Sequence, residues 1–108
     1  MPLIYLHTNL EASALKDGIE LRIAKTVGDI IDKPIENMLT IIVPGVRLLR
    51  QETTEPAATL NIYSVGSFDS TRNATYTPAV KQLVKSELGI PEERIIVVYH
   101  DLDINFVG

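Results

Sequence analysis

A shift of 57 residues lays the second half of this chain on the first, and that self-similarity limits the folds open to it. The shift places Pro34 on Pro91, Glu36 on Glu93 and Met38-Leu39 on Ile95-Ile96, with Pro2 to Thr8 against Thr59 to Val65. Identity between the halves is low, but the order of strand, helix, proline stop and strand agrees throughout. In the first half, Met1 to His7 is a short apolar strand with proline at its head, where a missing N–H costs no ladder bond. From Ser13 the apolar positions Leu15, Ile19, Ile23, Val27 and Ile30 recur every three or four residues, predicting an amphipathic helix to about Ile31. Gly18 and Gly28 weaken that helix, each by up to ~1 kcal/mol relative to alanine. Pro34 disfavours a helical Lys33 and marks the stop. Met38 to Val43 is the second strand, closed by Pro44-Gly45, and residues 46–56 form a loop.

The second half reads the same way. Ala58 to Val65 is a strand and Gly66 to Asn73 a polar turn region. A helix over Thr75 to Leu88 sets Val80, Leu83, Val84 and Leu88 on one face. Gly89 and Pro91 end it, and Arg94 to His100 is the last strand. Two βαβ units follow, each with a right-handed crossover. The fold class expected is α+β: a four-stranded mixed sheet with two helices on one face, built from residues 1–108 as a single domain with an internal repeat of about 2–45 and 58–101. The opposite sheet face is apolar and uncovered, which predicts an oligomer.

Composition narrows the function. With 108 residues, 45% apolar and 22% charged, the chain is globular and not disordered. A net charge of −4 with ten scattered Lys and Arg leaves no footprint for nucleic acid. Cysteine is absent, which removes disulfides, thiolate metal sites and cysteine nucleophiles together. No apolar run approaches the ~20 residues of a membrane span, and no basic-then-apolar leader predicts classical secretion, so a cytoplasmic location is expected. On that ground the sequon Asn73-Ala74-Thr75 is expected to go unused. His7 and His100 have no partners at metal-ligand spacing, so no metal site is expected.

One residue carries possible chemistry by itself. An initiator Met before a small residue is commonly removed, and Pro2 would then present a free secondary amine. An α-amino group titrates near about 7.7–8.0, and burial disfavours its charged form, so a buried N-terminal proline can act as a neutral base. The other reading is a Met-Pro start with no chemical role.

Several short pieces fall in register along the whole chain: Met1-Pro2 heading the first strand, Thr8-Asn9 closing it, Asp17-Gly18, Lys33-Pro34, Thr54-Glu55-Pro56, Ser64-Val65-Gly66, Asn73, Tyr76, and Asp101 to Val107-Gly108. In that joint order the chain resembles the macrophage migration inhibitory factor and D-dopachrome tautomerase family. The resemblance implies a homotrimer with pockets between neighbouring subunits, and keto–enol tautomerisation of small aromatic 2-oxo acids or dopachrome derivatives without metal or organic cofactor. It makes Pro2 the catalytic base and assigns the substrate carboxylate to Lys33 and the backbone amide of Val65. A lysine just past a helix end also has a structural role open to it, bonding the last carbonyls. Met38, Ile41, Val43 and Ile62 either line a pocket or fill the core, and core is the expected role.

The departures from the family pattern are as informative. Where the migration inhibitory factor branch has a Tyr and an Asn lining the pocket, this chain has Ile96 and Val98, which forfeits two polar contacts worth ~0.5–1.5 kcal/mol each. Ala57 and Leu60 stand at the sites of the family's Cys-x-x-Cys stretch, excluding thiol redox activity. The family usually continues beyond the position of Gly108 with a short pairing strand; without it a weaker trimer and a more open site are expected. A retained Met1 makes the Pro2 nitrogen an amide without basicity. Three roles therefore stand: a tautomerase, a cytokine-like protein released by a non-classical route to a cell-surface receptor, or an oligomerisation module with neither role.

Overall fold

The computed structural model describes all 108 residues, Met1–Gly108. Four strands, β1 (Leu3–Thr8), β2 (Leu39–Val43), β3 (Ala58–Ser64) and β4 (Ile95–Asp101), alternate with two helices, α1 (Ile19–Ile31) and α2 (Ser70–Leu88). The sheet order is β2-β1-β3-β4. Within each half the paired strands are parallel, and the halves meet along the antiparallel pair β1 and β3. The expected mixed sheet with both helices on one face is the one observed.

Period-two alternation decides which side chains reach the helices. Ile4 and Leu6 of β1, Leu60 and Ile62 of β3 and Ile95 of β4 are fully buried. They form one core with Ile19, Ile23, Val27 and Ile31 of α1 and Val80, Leu83 and Val84 of α2. Each such side chain contributes about 1.5–3 kcal/mol on burial, so this layer holds the sheet ends in place. The other face carries Leu3, Tyr5 and His7 between Leu39, Ile41 and Val43 on one side and Thr59, Asn61 and Tyr63 on the other, with Ile96, Val98 and His100 beyond. Leu39, Ile41 and Val98 remain 45%, 42% and 38% exposed there. Of the four residues expected in the core, Ile62 is in it and Met38 packs against it. Ile41 and Val43 instead stand on the open face, because β2 turns its even-numbered residues, among them Ile42, toward the helices.

Both helix starts differ from the sequence reading, in opposite senses. The first helix begins at Ile19, not Ser13: residues Ala12–Ala14 make a separate 3-10 turn, and Gly18 enters α1 at φ 77°. Leu15 still packs on the core, so it continued the apolar period without belonging to the helix. The second helix begins at Ser70, not Thr75. Its first turns bury nothing apolar; they are fixed by Asp69, whose Oδ1 accepts the Arg72 N–H at 2.7 Å as an N-cap.

The loop after β2 is held from the second half. Arg94 is 7% exposed and donates to the carbonyls of Arg50, Thr53, Glu55 and Pro56, with no carboxylate partner. It pins a tight turn whose two middle residues, Gln51 and Glu52, have φ of 51° and 65°.

Candidate active site at the head of strand β1

Pro2 is buried at the point where β1 begins, and its carbonyl accepts the Leu39 N–H at 3.1 Å. The ring is thereby fixed between the starts of β1 and β2. Met1 precedes it on the surface, 54% exposed. With Met1 attached the Pro2 nitrogen is an amide; with Met1 removed it is a secondary amine.

The end of α1 closes on the same place. Asp32 takes a left-handed conformation at φ 57°, and the Lys33 N–H returns to the Gly28 carbonyl at 2.9 Å, a Schellman closure. Gly28 makes this possible. A Cβ there would lie 2.8 Å from the Lys33 carbonyl oxygen and 3.1 Å from Met38 Sδ. What the sequence reading counted as a weak point in a helix is the contact that brings the helix end against the strand start. Met38 in turn immediately precedes Leu39, the register partner of Leu3. The Lys33 side chain is half-buried, and its ammonium bonds neither a carbonyl nor a carboxylate. It therefore does not cap the helix.

The third element is the turn after β3. Ser64 and Ser67 are buried and share a hydroxyl hydrogen bond of 2.7 Å. The Tyr76 hydroxyl donates to the Ser67 carbonyl at 3.0 Å, Leu102 N–H to the Ser64 carbonyl at 2.9 Å, and Gly66 N–H to Asp101 Oδ1 at 3.3 Å. The Val65 N–H, in the middle of these ties, bonds no other backbone group. Lys33, Gly66, Ser67, Arg72 and Tyr76 line one cleft of about 360 Å³. Pro2 and Val65 are not in the lining of that cleft, nor in that of the three larger surface depressions of about 660, 410 and 370 Å³.

Pro2, Lys33 and Val65 lie at the same end of the sheet, Pro2 just before Leu3, the register partner of Tyr63, and Val65 just after β3, while Ile96 and Val98 do not join them. These two lie on β4, in register with Thr59 and Asn61 of β3, two strands away from β1 on the open face. Ile96 borders a separate apolar cleft of about 200 Å³ beside Leu48, Leu49 and Arg50. The sequence reading passed over Arg72 and Asp69. The Arg72 guanidinium donates through Nε to Asp69 Oδ2 at 2.7 Å and through Nη1 to the Gly66 carbonyl at 3.1 Å. The Arg72 backbone N–H and guanidinium hold the Asp69 carboxyl below the usual carboxylate range. The available signal was an Asp at an N-cap position, hidden because the following turns lack apolar residues.

Comparison with known proteins shows the family. The family model described as macrophage migration inhibitory factor matches residues 1–108. D-dopachrome decarboxylase of Mus musculus is 32% identical over 109 residues, covering 100% of this chain and 92% of that protein. MIF-like protein mif-2 of Caenorhabditis elegans is 29% identical over 108 residues, covering 100% and 90%. Among solved structures, the macrophage migration inhibitory factor from Trichinella spiralis superposes with a TM-score of 0.94 at 25% identity, over 98% of this chain and 94% of that one. The homologue from Prochlorococcus marinus gives 0.87 at 23% identity, over 98% and 93%, a likeness of fold. Matched in sequence from its first residue to its last, and in fold over 98% of its length, the chain belongs to the macrophage migration inhibitory factor family.

Proposed function

We propose that this protein, once Met1 is removed, is a cofactor-independent keto–enol tautomerase of small aromatic 2-oxo acids of the phenylpyruvate or dopachrome type. The observation that carries the reading is the placement of three groups at one end of the sheet: Pro2, the unbonded Lys33 ammonium and the Val65 N–H that bonds no other backbone group. The Pro2 amine takes the proton from the carbon beside the substrate carbonyl, leaving an enolate, and passes that proton to the carbonyl oxygen to give the enol; the reverse reaction runs the same two transfers backwards. No atom is gained or lost. Lys33 and the Val65 N–H hold the substrate carboxylate, in ground state and transition state alike. The amine acts as a base in its uncharged form.

In a homotrimer, the open sheet face with exposed Leu39, Ile41 and Val98 is covered by neighbouring copies. Ile96 and Val98, distant from Pro2 in their own chain, then serve as the apolar wall of a neighbour's pocket. They offer the substrate contact area and no hydrogen bond. That same lack of polar side chains favours a second reading, a cytokine-like protein that leaves the cytoplasm by a non-classical route and binds a cell-surface receptor.

The test is phenylpyruvate tautomerisation by protein whose loss of Met1 has been verified by intact mass. Turnover that falls by roughly 100-fold or more in Pro2→Gly supports the enzyme. Processed wild type without turnover contradicts it and leaves the receptor-binding reading.

A further inference from the structure

The turn after β3 is tied from two directions, and one tie has no evident use in folding. Ser64, Ser67 and Tyr76 fasten the turn from inside and from α2, and Asp101 and Leu102 from β4. Arg72 adds a different kind of restraint. Asp69 holds it twice, accepting its backbone N–H at Oδ1 and its Nε–H at Oδ2, both at 2.7 Å. With the guanidinium so fixed, Nη1 reaches the Gly66 carbonyl at 3.1 Å. Gly66 is consequently gripped at both ends, its N–H by Asp101 and its carbonyl by Arg72, one residue beyond the Val65 N–H. The N-cap needs only Asp69 and the Arg72 backbone. The side-chain pair is exposed, 47% at Arg72 and 52% at Asp69, and exposed pairs contribute little to stability.

We propose that Arg72, oriented by Asp69, is a positioning residue for the carboxylate site: it holds the Gly66 carbonyl so that the Val65 N–H points at the substrate's acid group. This rests on the tautomerase function proposed above. Arg72 acts on the substrate through the turn, and its charge is already matched by Asp69.

Three measurements on Met1-processed protein test it. With phenylpyruvate, Arg72→Ala should raise KM about tenfold while kcat stays within about threefold, the signature of an interaction shared by ground and transition states. Asp69→Ala, which leaves the guanidinium present but unheld, should raise KM in the same direction. In amide ¹H–¹⁵N spectra without ligand, the Val65 and Gly66 signals should move in both variants. A KM and a Val65 signal unchanged in Arg72→Ala overturn the proposal. So does a raised KM in Arg72→Ala with none in Asp69→Ala, since the guanidinium would then touch substrate directly. A kcat collapse at constant KM likewise overturns it. Wild type without turnover overturns the underlying function and this proposal with it, whereas an active wild type with unmoved variants overturns the positioning role alone.

Discussion

The two halves of the molecule build the same helix end and use it differently. A shift of 57 residues carries Asp32 onto Gly89, and both are left-handed, at φ 57° and 69°. The next residue is Lys33 in the first half and Ile90 in the second. Ile90 is 1% exposed and belongs to the core, whereas Lys33 is half-buried, unpaired and aimed at a cleft. Gly28, where α1 ends against Met38, corresponds to exposed Lys85. Exposed Asn37 corresponds to buried Arg94. Both helices thus end on a left-handed residue, followed by an unpaired lysine in the first half and by a core isoleucine in the second.

Substitutions at repeat-related positions test that division. The largest stability contrast should come at the residue after the helix end. Ile90→Ala should cost about 2–5 kcal/mol in denaturant unfolding. Lys33→Ala should leave stability within about 0.5 kcal/mol. Equal losses at the two positions would break the comparison. Next, Arg94→Met removes one donor from each of four carbonyls of the 50–56 loop, leaving that of Pro56 with none, and should cost about 1–3 kcal/mol. Asn37→Ala should sit near wild type. Gly28→Ala must displace the Lys33 carbonyl or Met38, so it should destabilise by about 1–3 kcal/mol and raise KM as well. Lys85→Ala should do neither.

The smallest effect concerns the tie between the halves. Arg22 of α1 donates to both carboxylate oxygens of Glu87 on α2, at 2.9 and 2.8 Å. That hydrogen bonding holds the Glu87 carboxyl below its usual range. A carboxyl lowered on folding stabilises the protein above its unfolded value of about 4.3 and loses that contribution as pH falls through the folded value. Glu87→Gln should therefore lower Tm slightly at neutral pH, and the difference from wild type should vanish in acid.

The architecture was legible because apolar periodicity wrote most of it. Ile4 and Leu6, Leu60 and Ile62, and the stripe Ile19 to Ile31 all occupy the sides their spacing assigns. Periodicity failed where something other than burial fixed the backbone. Leu15 kept the helical period from outside α1, and residues 70–74 formed helix with no apolar side chain larger than that of Ala74 to announce it. The candidate site was legible only through resemblance. Pro2, Lys33 and Val65 are of ordinary residue types and lie far apart in sequence, and what joins them is Gly28 and the strand register. Arg72 and Asp69 escaped notice because a surface Asp and Arg three residues apart look like a solvated pair.

In the proposed function the first half's helix end is a substrate site and the second half's is not. Steady-state kinetics of Lys33→Ala with phenylpyruvate, on Met1-processed protein, test it most directly. The account predicts a raised KM with kcat largely retained, because the carboxylate contact is shared by ground and transition states. A collapsed kcat at unchanged KM would contradict it.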